Sequence, residues 1–379
     1  MSRHPEFDQA PGLVYLNHAA VAPWPERTRL AVSRFAAENQ LRGAQHYRHW
    51  LEVEQRLRGQ LQRLINADDT GQIALLKSTS EGLSVIAHGL EWAPGDTIVT
   101  AREEFPSNRV AWQSLAPQGV TTRLVELAGR EDPEAALLEA VDDSTRLLSI
   151  SAVQYADGLR MDLPRIGAFC RERGILFCVD AIQQLGALPF DVAAIGADFV
   201  VADGHKWLLS AEGLALFYCR GEHLERLRLH QYGWHMLADH SDYTRLDWTP
   251  AVDATRFECG SPNMLGIHAL SASLSLFEEL GMDAIAAAIA RHTTHLTDAL
   301  AARGDCELLS PGDPSRRAGI VTFRSRRSDS QALYRALMAA DVVCAARGGG
   351  VRLSPHFWHA DADLDLALAR VDAALAATG

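Results

Sequence analysis

Only two lysines, Lys77 and Lys206, stand among thirty-four arginines in this 379-residue chain. An amine retained where nearly every other cation is a guanidinium points to a need for the amine itself. Arginine keeps its proton, whereas a desolvated lysine can lose it and condense with an aldehyde. An ordinary salt-bridging lysine is the plain alternative. Lys206 lies in Phe199-Val200-Val201-Ala202-Asp203-Gly204-His205-Lys206-Trp207. Turn residues after a β-branched run put His205 and Lys206 at the exit of a buried strand, facing a cleft.

Three other groups fall at strand ends, where ligands bind in open α/β sheets. Ser78-Thr79-Ser80-Glu81-Gly82 opens a helix. Backbone N–H groups and the helix dipole there suit a phosphate, although a capped helix with an acidic first turn explains the same residues. Asp180 closes the apolar strand Ile175 to Val179, with Gln183 three residues on. A carboxylate at that place is costly unless it meets a cation or donors, and a protonated ring nitrogen is such a partner; an Asp capping the next segment is the alternative. Arg352 follows Gly348-Gly349-Gly350-Val351, and its guanidinium can grip a substrate α-carboxylate through two bonds. An amine for an aldehyde, a carboxylate for a pyridinium nitrogen and a phosphate site match the three handles of pyridoxal 5′-phosphate.

The elements that must hold these groups alternate. Strands are expected at 72–76, 97–100, 120–127, 146–153, 175–179, 199–202 and 213–219. Helices are expected after Ser78, after Asn108, over 133–141 and over 163–173. That alternation, with unbroken apolar strands, predicts an α/β fold whose mostly parallel seven-stranded sheet is covered on both faces. Helical spacing from Glu26 to Leu64, broken near Gly43, precedes the sheet. Beyond Phe257 two Ala-rich helices (265–280 and 283–302) lead to a small α+β unit with strands at 320–323 and 342–345. The expected division is an N-terminal arm with helices over 1–54 that joins the small unit, a large domain over 55–258, and a small C-terminal domain over 259–379.

A net charge of −12 argues against nucleic-acid or anionic-membrane partners. No apolar run is long enough to span a membrane, and the first residues lack an apolar signal region, so a cytoplasmic protein is expected. Six scattered cysteines without a CxxC read as reduced core residues. His46/His49 and His292/His295 are each three apart, yet no cysteine or carboxylate joins them, and no metal is expected.

The chain resembles the class V aminotransferase group of fold-type-I pyridoxal phosphate enzymes, which includes cysteine desulfurases, isopenicillin N epimerase, kynureninase and C–S lyases. The resemblance rests on Tyr15-Leu16-Asn17-His18-Ala19-Ala20, Ser78-Thr79-Ser80-Glu81-Gly82, Glu104-Phe105-Pro106-Ser107-Asn108 and Val153-Gln154-Tyr155-Ala156-Asp157-Gly158. It continues through Val179-Asp180-Ala181-Ile182-Gln183-Gln184, Asp203-Gly204-His205-Lys206-Trp207, Arg256-Phe257-Glu258-Cys259-Gly260-Ser261-Pro262-Asn263 and Val351-Arg352-Leu353-Ser354-Pro355-His356.

The resemblance implies roles. Lys206 holds the Schiff base and shuttles the Cα proton. Asp180 keeps the ring nitrogen protonated, Gln183 bonds the phenolic oxygen, and Phe105 stacks on the ring. Ser78, Thr79, Ser80 and His205 surround the phosphate, joined by Ser261 from a second subunit, so a homodimer with shared sites is implied. Arg352 binds the substrate carboxylate of a small amino acid, with Asn17, Gln154 and Tyr155 nearby. Cysteine desulfurases carry a nucleophilic cysteine on a loop shortly before that arginine. Here the loop is cut to a glycine turn, and Cys344 reads as a core residue within a strand, against a persulfide-forming enzyme. Aminotransferase-type chemistry is the leading expectation, with C–S β-elimination or epimerisation as alternatives. A catalytically inactive α/β binding or regulatory protein is the rival of another class, but no GxGxxG turn follows a strand in the first two-thirds of the chain.

Overall fold

The computed structural model describes residues 3–244 and 246–378. Seven strands form one sheet in the order Ile73–Leu76, Ala215–Cys219, Phe199–Asp203, Leu176–Asp180, Thr145–Ser151, Thr97–Ala101 and Thr121–Val125. All run parallel except Ala215–Cys219, which is antiparallel to both neighbours. The inner strands are buried almost throughout, while the edge strand Thr121–Val125 is half-exposed. Unbroken Val, Ile, Leu and Phe runs without polar alternation produce this, because helices cover both faces.

Helix Thr79–Gly89 shows how closely the layers approach. Ser78 caps it by accepting from the Glu81 N–H, and at Gly82 any Cβ would stand 2.6 Å from Val201 Cγ1. Glycine there lets the helix start lie directly against the strand that leads to Lys206. Because the strands are parallel, the ends of Ile73–Leu76, Thr97–Ala101, Thr145–Ser151, Leu176–Asp180 and Phe199–Asp203 share one edge of the sheet.

A second, antiparallel sheet has the order Ala345–Arg347, Gly350–Leu353, Val321–Ser325 and Cys306–Leu308. One three-residue member, Cys306–Leu308, has no sequence pattern long enough to announce it. The single strand expected at 342–345 is two: Val342–Val343 pairs in parallel with Val14–Tyr15, and Ala345–Arg347 joins the four-stranded sheet. Cys344 therefore sits between strands rather than within one, although it is buried. Helices Glu26–Arg42 and Tyr47–Ile65 pack on Met264–Leu280. The second of them runs through position 54, where the sequence suggested a division.

Candidate active site

The shared edge of the large sheet opens into a cavity of about 280 Å³. Each strand end delivers something to it: Thr79 and Ser80, Phe105, Ser151, Asp180 with Gln183, and Asp203 with His205 and Lys206. Tyr155 follows Ser151, while Arg347 and Arg352 enter from the small sheet and Ala19 and Ala20 from the N-terminal arm. Lys206 Nζ lies 5.7 Å from the centre of the Phe105 ring, which meets Tyr155 edge-to-face at 5.3 Å. The Tyr155 carbonyl in turn accepts from Arg352 Nη1 at 2.6 Å.

Four expected residues stand off the cavity. Ser78 spends its hydroxyl on the helix cap, so the capping role accounts for it. Gln154 turns away, donating to Glu104 Oε1 at 2.9 Å. Asn17 bridges to Ser354 on the small-sheet side. Ser261 lines a separate surface depression with Lys77 and Glu81.

Burial shapes the charges. The Asp180 carboxyl is pushed up chiefly by loss of water, against the pull of the Ile182 N–H bonded to Oδ1 at 3.0 Å. The Lys206 ammonium is pushed down by the same loss of water; Asp180 opposes this and Arg352 reinforces it. Desolvation disfavours both charged forms, and the pair offsets part of that cost by facing each other. Arg352, only 2% exposed, is driven down to about 10 by burial and by neighbouring Arg347. His205 is lowered to about 4, first by burial and then by Lys206, so its ring is neutral at physiological pH.

Two residues that sequence reading missed complete the site. Arg347 brings a second guanidinium to the cavity. Glu104 is buried behind the wall and collects donors from the Ser151 backbone at 2.6 Å, the Ser151 hydroxyl, Gln154, and Asn108 Nδ2 at 3.0 Å. Burial raises its carboxyl while these bonds oppose the rise. Only a cluster of distant donors reveals Glu104; spacing does not.

The cavity suits pyridoxal phosphate on its own geometry. Thr79 Oγ1, His205 Nδ1 and Arg352 Nε are buried without hydrogen-bond partners, and all three residues line this one cavity. Thr79 and His205 flank the helix N-terminus where a phosphate is favoured. Asp180 lines the cavity together with Gln183 and Lys206, and a protonated ring nitrogen there would neutralise it.

Solved structures share this architecture. The cysteine desulfurase CsdA from Escherichia coli superposes with a TM-score of 0.86 at 23% identity, over 97% of this chain and 96% of that one. The cystine C–S lyase C-DES, in complex with its reaction product cysteine persulfide, gives 0.88 at 24%, over 96% and 99%. The fold is that of the fold-type-I pyridoxal phosphate enzymes. The aminotransferase class-V model matches residues 14–366, and the chain belongs to that family. It is an enzyme, and its cofactor is pyridoxal phosphate. A probable cysteine desulfurase of Methanothermobacter thermautotrophicus is 30% identical over 93% of this chain and 92% of its own. A cysteine desulfurase of Klebsiella pneumoniae is 31% identical over 82% and 77%. An uncharacterized aminotransferase of Bacillus subtilis, YcbU, is 26% identical over 86% and 85%.

Proposed function

We propose that this enzyme is a C–S lyase that cleaves a small sulfur-bearing amino acid by β-elimination, without a protein persulfide. The cavity wall opposite Lys206 carries the reading: it offers two guanidiniums and, among the described residues, no thiol. Cys344, the cysteine nearest Arg347 in sequence, is 2% exposed, and burial pushes its thiol up to about 12. A thiol so placed is not a nucleophile. Relatives named as cysteine desulfurases support sulfur chemistry, and the missing acceptor supports release of the sulfur to solution.

Pyridoxal phosphate, when bound, supplies an aldehyde for amines and a ring that spreads the electrons left at Cα. The chain supplies the rest. Arg352 holds the substrate carboxylate, and Arg347 is placed for a second anionic group. Lys206 takes the Cα proton at Nζ and returns one to the departing sulfur, which its lowered basicity permits near neutral pH. Asp180 would keep the ring nitrogen protonated, Gln183 and His205 would orient the cofactor, and Phe105, whose ring centre lies 5.7 Å from Nζ, would lie against it.

We also propose a homodimer. Tyr232, Tyr243, Leu246, Trp248 and Val252 are exposed on one stretch of chain, with the Tyr232 and Trp248 rings in edge contact, and grouped apolar side chains of this kind suit an interaction surface. Ser261 follows this stretch and misses its own cavity, consistent with service to a second subunit.

The test is product analysis with cysteine, cystine and related amino acids. A 2-keto acid, ammonia and released sulfur species, formed without an added keto acid, are expected. Keto acid that forms only when a second keto acid is supplied would make the enzyme a transaminase. Persulfide trapped on a protein cysteine would restore the desulfurase mechanism.

A further inference from the structure

The loop carrying Lys206 is held by its backbone. Its successive carbonyls each accept one bond: Gly204 from Ser210 N–H at 3.0 Å, His205 from Ala22 N–H at 2.8 Å, Lys206 from Leu209 N–H at 3.0 Å. The Leu208 carbonyl accepts from Ser273 Oγ at 2.5 Å. The remaining one, Trp207, accepts from His356 Nε2 at 3.0 Å. Leu209 sits at φ 57, a left-handed conformation that leucine resists, so the loop keeps its path only while these bonds hold.

His356 is committed to this task. Its Nδ1 accepts the Phe357 N–H at 2.9 Å, which leaves the proton on Nε2, aimed at the Trp207 carbonyl. The ring is fully buried. It also stands four residues after Arg352, so one hydrogen bond joins the segment that carries the guanidinium to the loop that carries the amine.

We propose that His356 is a positioning residue: its bond to the Trp207 carbonyl sets where the Lys206 amine lies relative to Arg352. The proposal rests on Lys206 being the cofactor lysine. Loss of the bond lets the loop relax, and a misplacement of about 1 Å costs on the order of a hundredfold in turnover. Glutamine can still reach the carbonyl with its amide N–H; leucine offers no donor.

The experiment compares wild-type holoenzyme with His356→Leu and His356→Gln. One portion of each protein is treated with borohydride to fix the cofactor to a peptide, and the pH titration of the bound-cofactor absorbance and kcat/KM are measured on untreated portions. Labelling of Lys206 in all three proteins is expected. In His356→Leu the absorbance titration should shift and kcat/KM should fall by about tenfold or more, with both restored in His356→Gln. Should the leucine variant not fold, His356→Asn, too short to reach the carbonyl, replaces it under the same expectations. The proposal fails if the donor-less variant keeps the wild-type titration and kcat/KM. It fails equally if the glutamine variant is as impaired in titration and kcat/KM as the leucine variant. A wild-type Lys206 left unlabelled would instead overturn the cofactor assignment, and this proposal with it.

Discussion

Two buried polar regions lie back to back across Trp207. On one side is the cavity with Asp180, Lys206, His205 and Arg352; on the other is a cluster of His18, His292, His356 and His359. All eight groups have pKa values displaced by burial. Yet each ring nitrogen of the four clustered histidines has a partner. His18 donates to the Ser354 carbonyl at 2.8 Å and accepts from Trp358 at 3.1 Å. His359 donates to the Tyr15 carbonyl at 2.7 Å and accepts the His356 N–H at 3.1 Å. His292 donates to the His356 carbonyl at 3.0 Å, and its Nε2 meets Arg291. The cavity leaves His205 Nδ1, Thr79 Oγ1 and Arg352 Nε bare. A displaced pKa therefore marks burial, and burial alone marks nothing functional. Unmet hydrogen-bonding capacity gathered on residues that line one cavity is what sets this site apart from the histidine cluster.

That contrast can be broken by experiment. Lys206→Ala should cost the most: turnover falling by at least about 10³-fold, with circular dichroism and melting temperature near wild type. Turnover that survives would remove Lys206 from the chemistry. Arg352→Ala should weaken binding of carboxylate substrates by about 2–5 kcal/mol, read as a rise in KM; an unchanged KM takes Arg352 out of the site.

The histidine side predicts a stability effect with a definite sign. His356 is lowered to about 3 and His359 to about 4 by burial. The unfolded chain, titrating near the ordinary value of about 6.5, then binds more protons than the native one as the medium acidifies. Stability from these rings is intact above that value and lost as pH falls toward 4 and 3, by at most about 1.4 kcal/mol per ring per pH unit. Urea midpoints from pH 7 to 4.5 should fall, and His359→Asn should flatten the fall; an unaltered slope would mean the ring is not held neutral. The smallest effect belongs to Cys344→Ala, expected to leave turnover unchanged. Loss of sulfur release in that variant would refute the thiol-free reading.

Much of this was legible from local pattern. Apolar runs ending in Asp180, Asp203 and the Ser78 turn gave the strand ends, because a parallel sheet makes every buried strand declare itself by composition. What stayed hidden depends on convergence. Glu104 and Ser151 are 47 residues apart in sequence, and nothing local links them. Arg347 is one arginine among thirty-four until the fold turns it inward. The split at Cys344 follows from a strand swapping partners between sheets, which hydrophobic periodicity does not encode. Ser78 read equally well as cap or ligand, and its hydroxyl makes the cap by accepting from the Glu81 N–H.

The N-terminal arm closes one side of the cavity. Ala19 and Ala20 wall it, and the Ala19 carbonyl receives the Gln183 amide. Yet the arm is seated by Val342–Val343 and by Ser354, 336 positions beyond His18. Residues 14–18 thus wait for residues 342–354 before they can settle. Closure of so long a loop is a late event. On a ribosome the vitamin's berth is incomplete until Val342–Val343 and Ser354 have emerged, so the coenzyme finds no finished pocket before then.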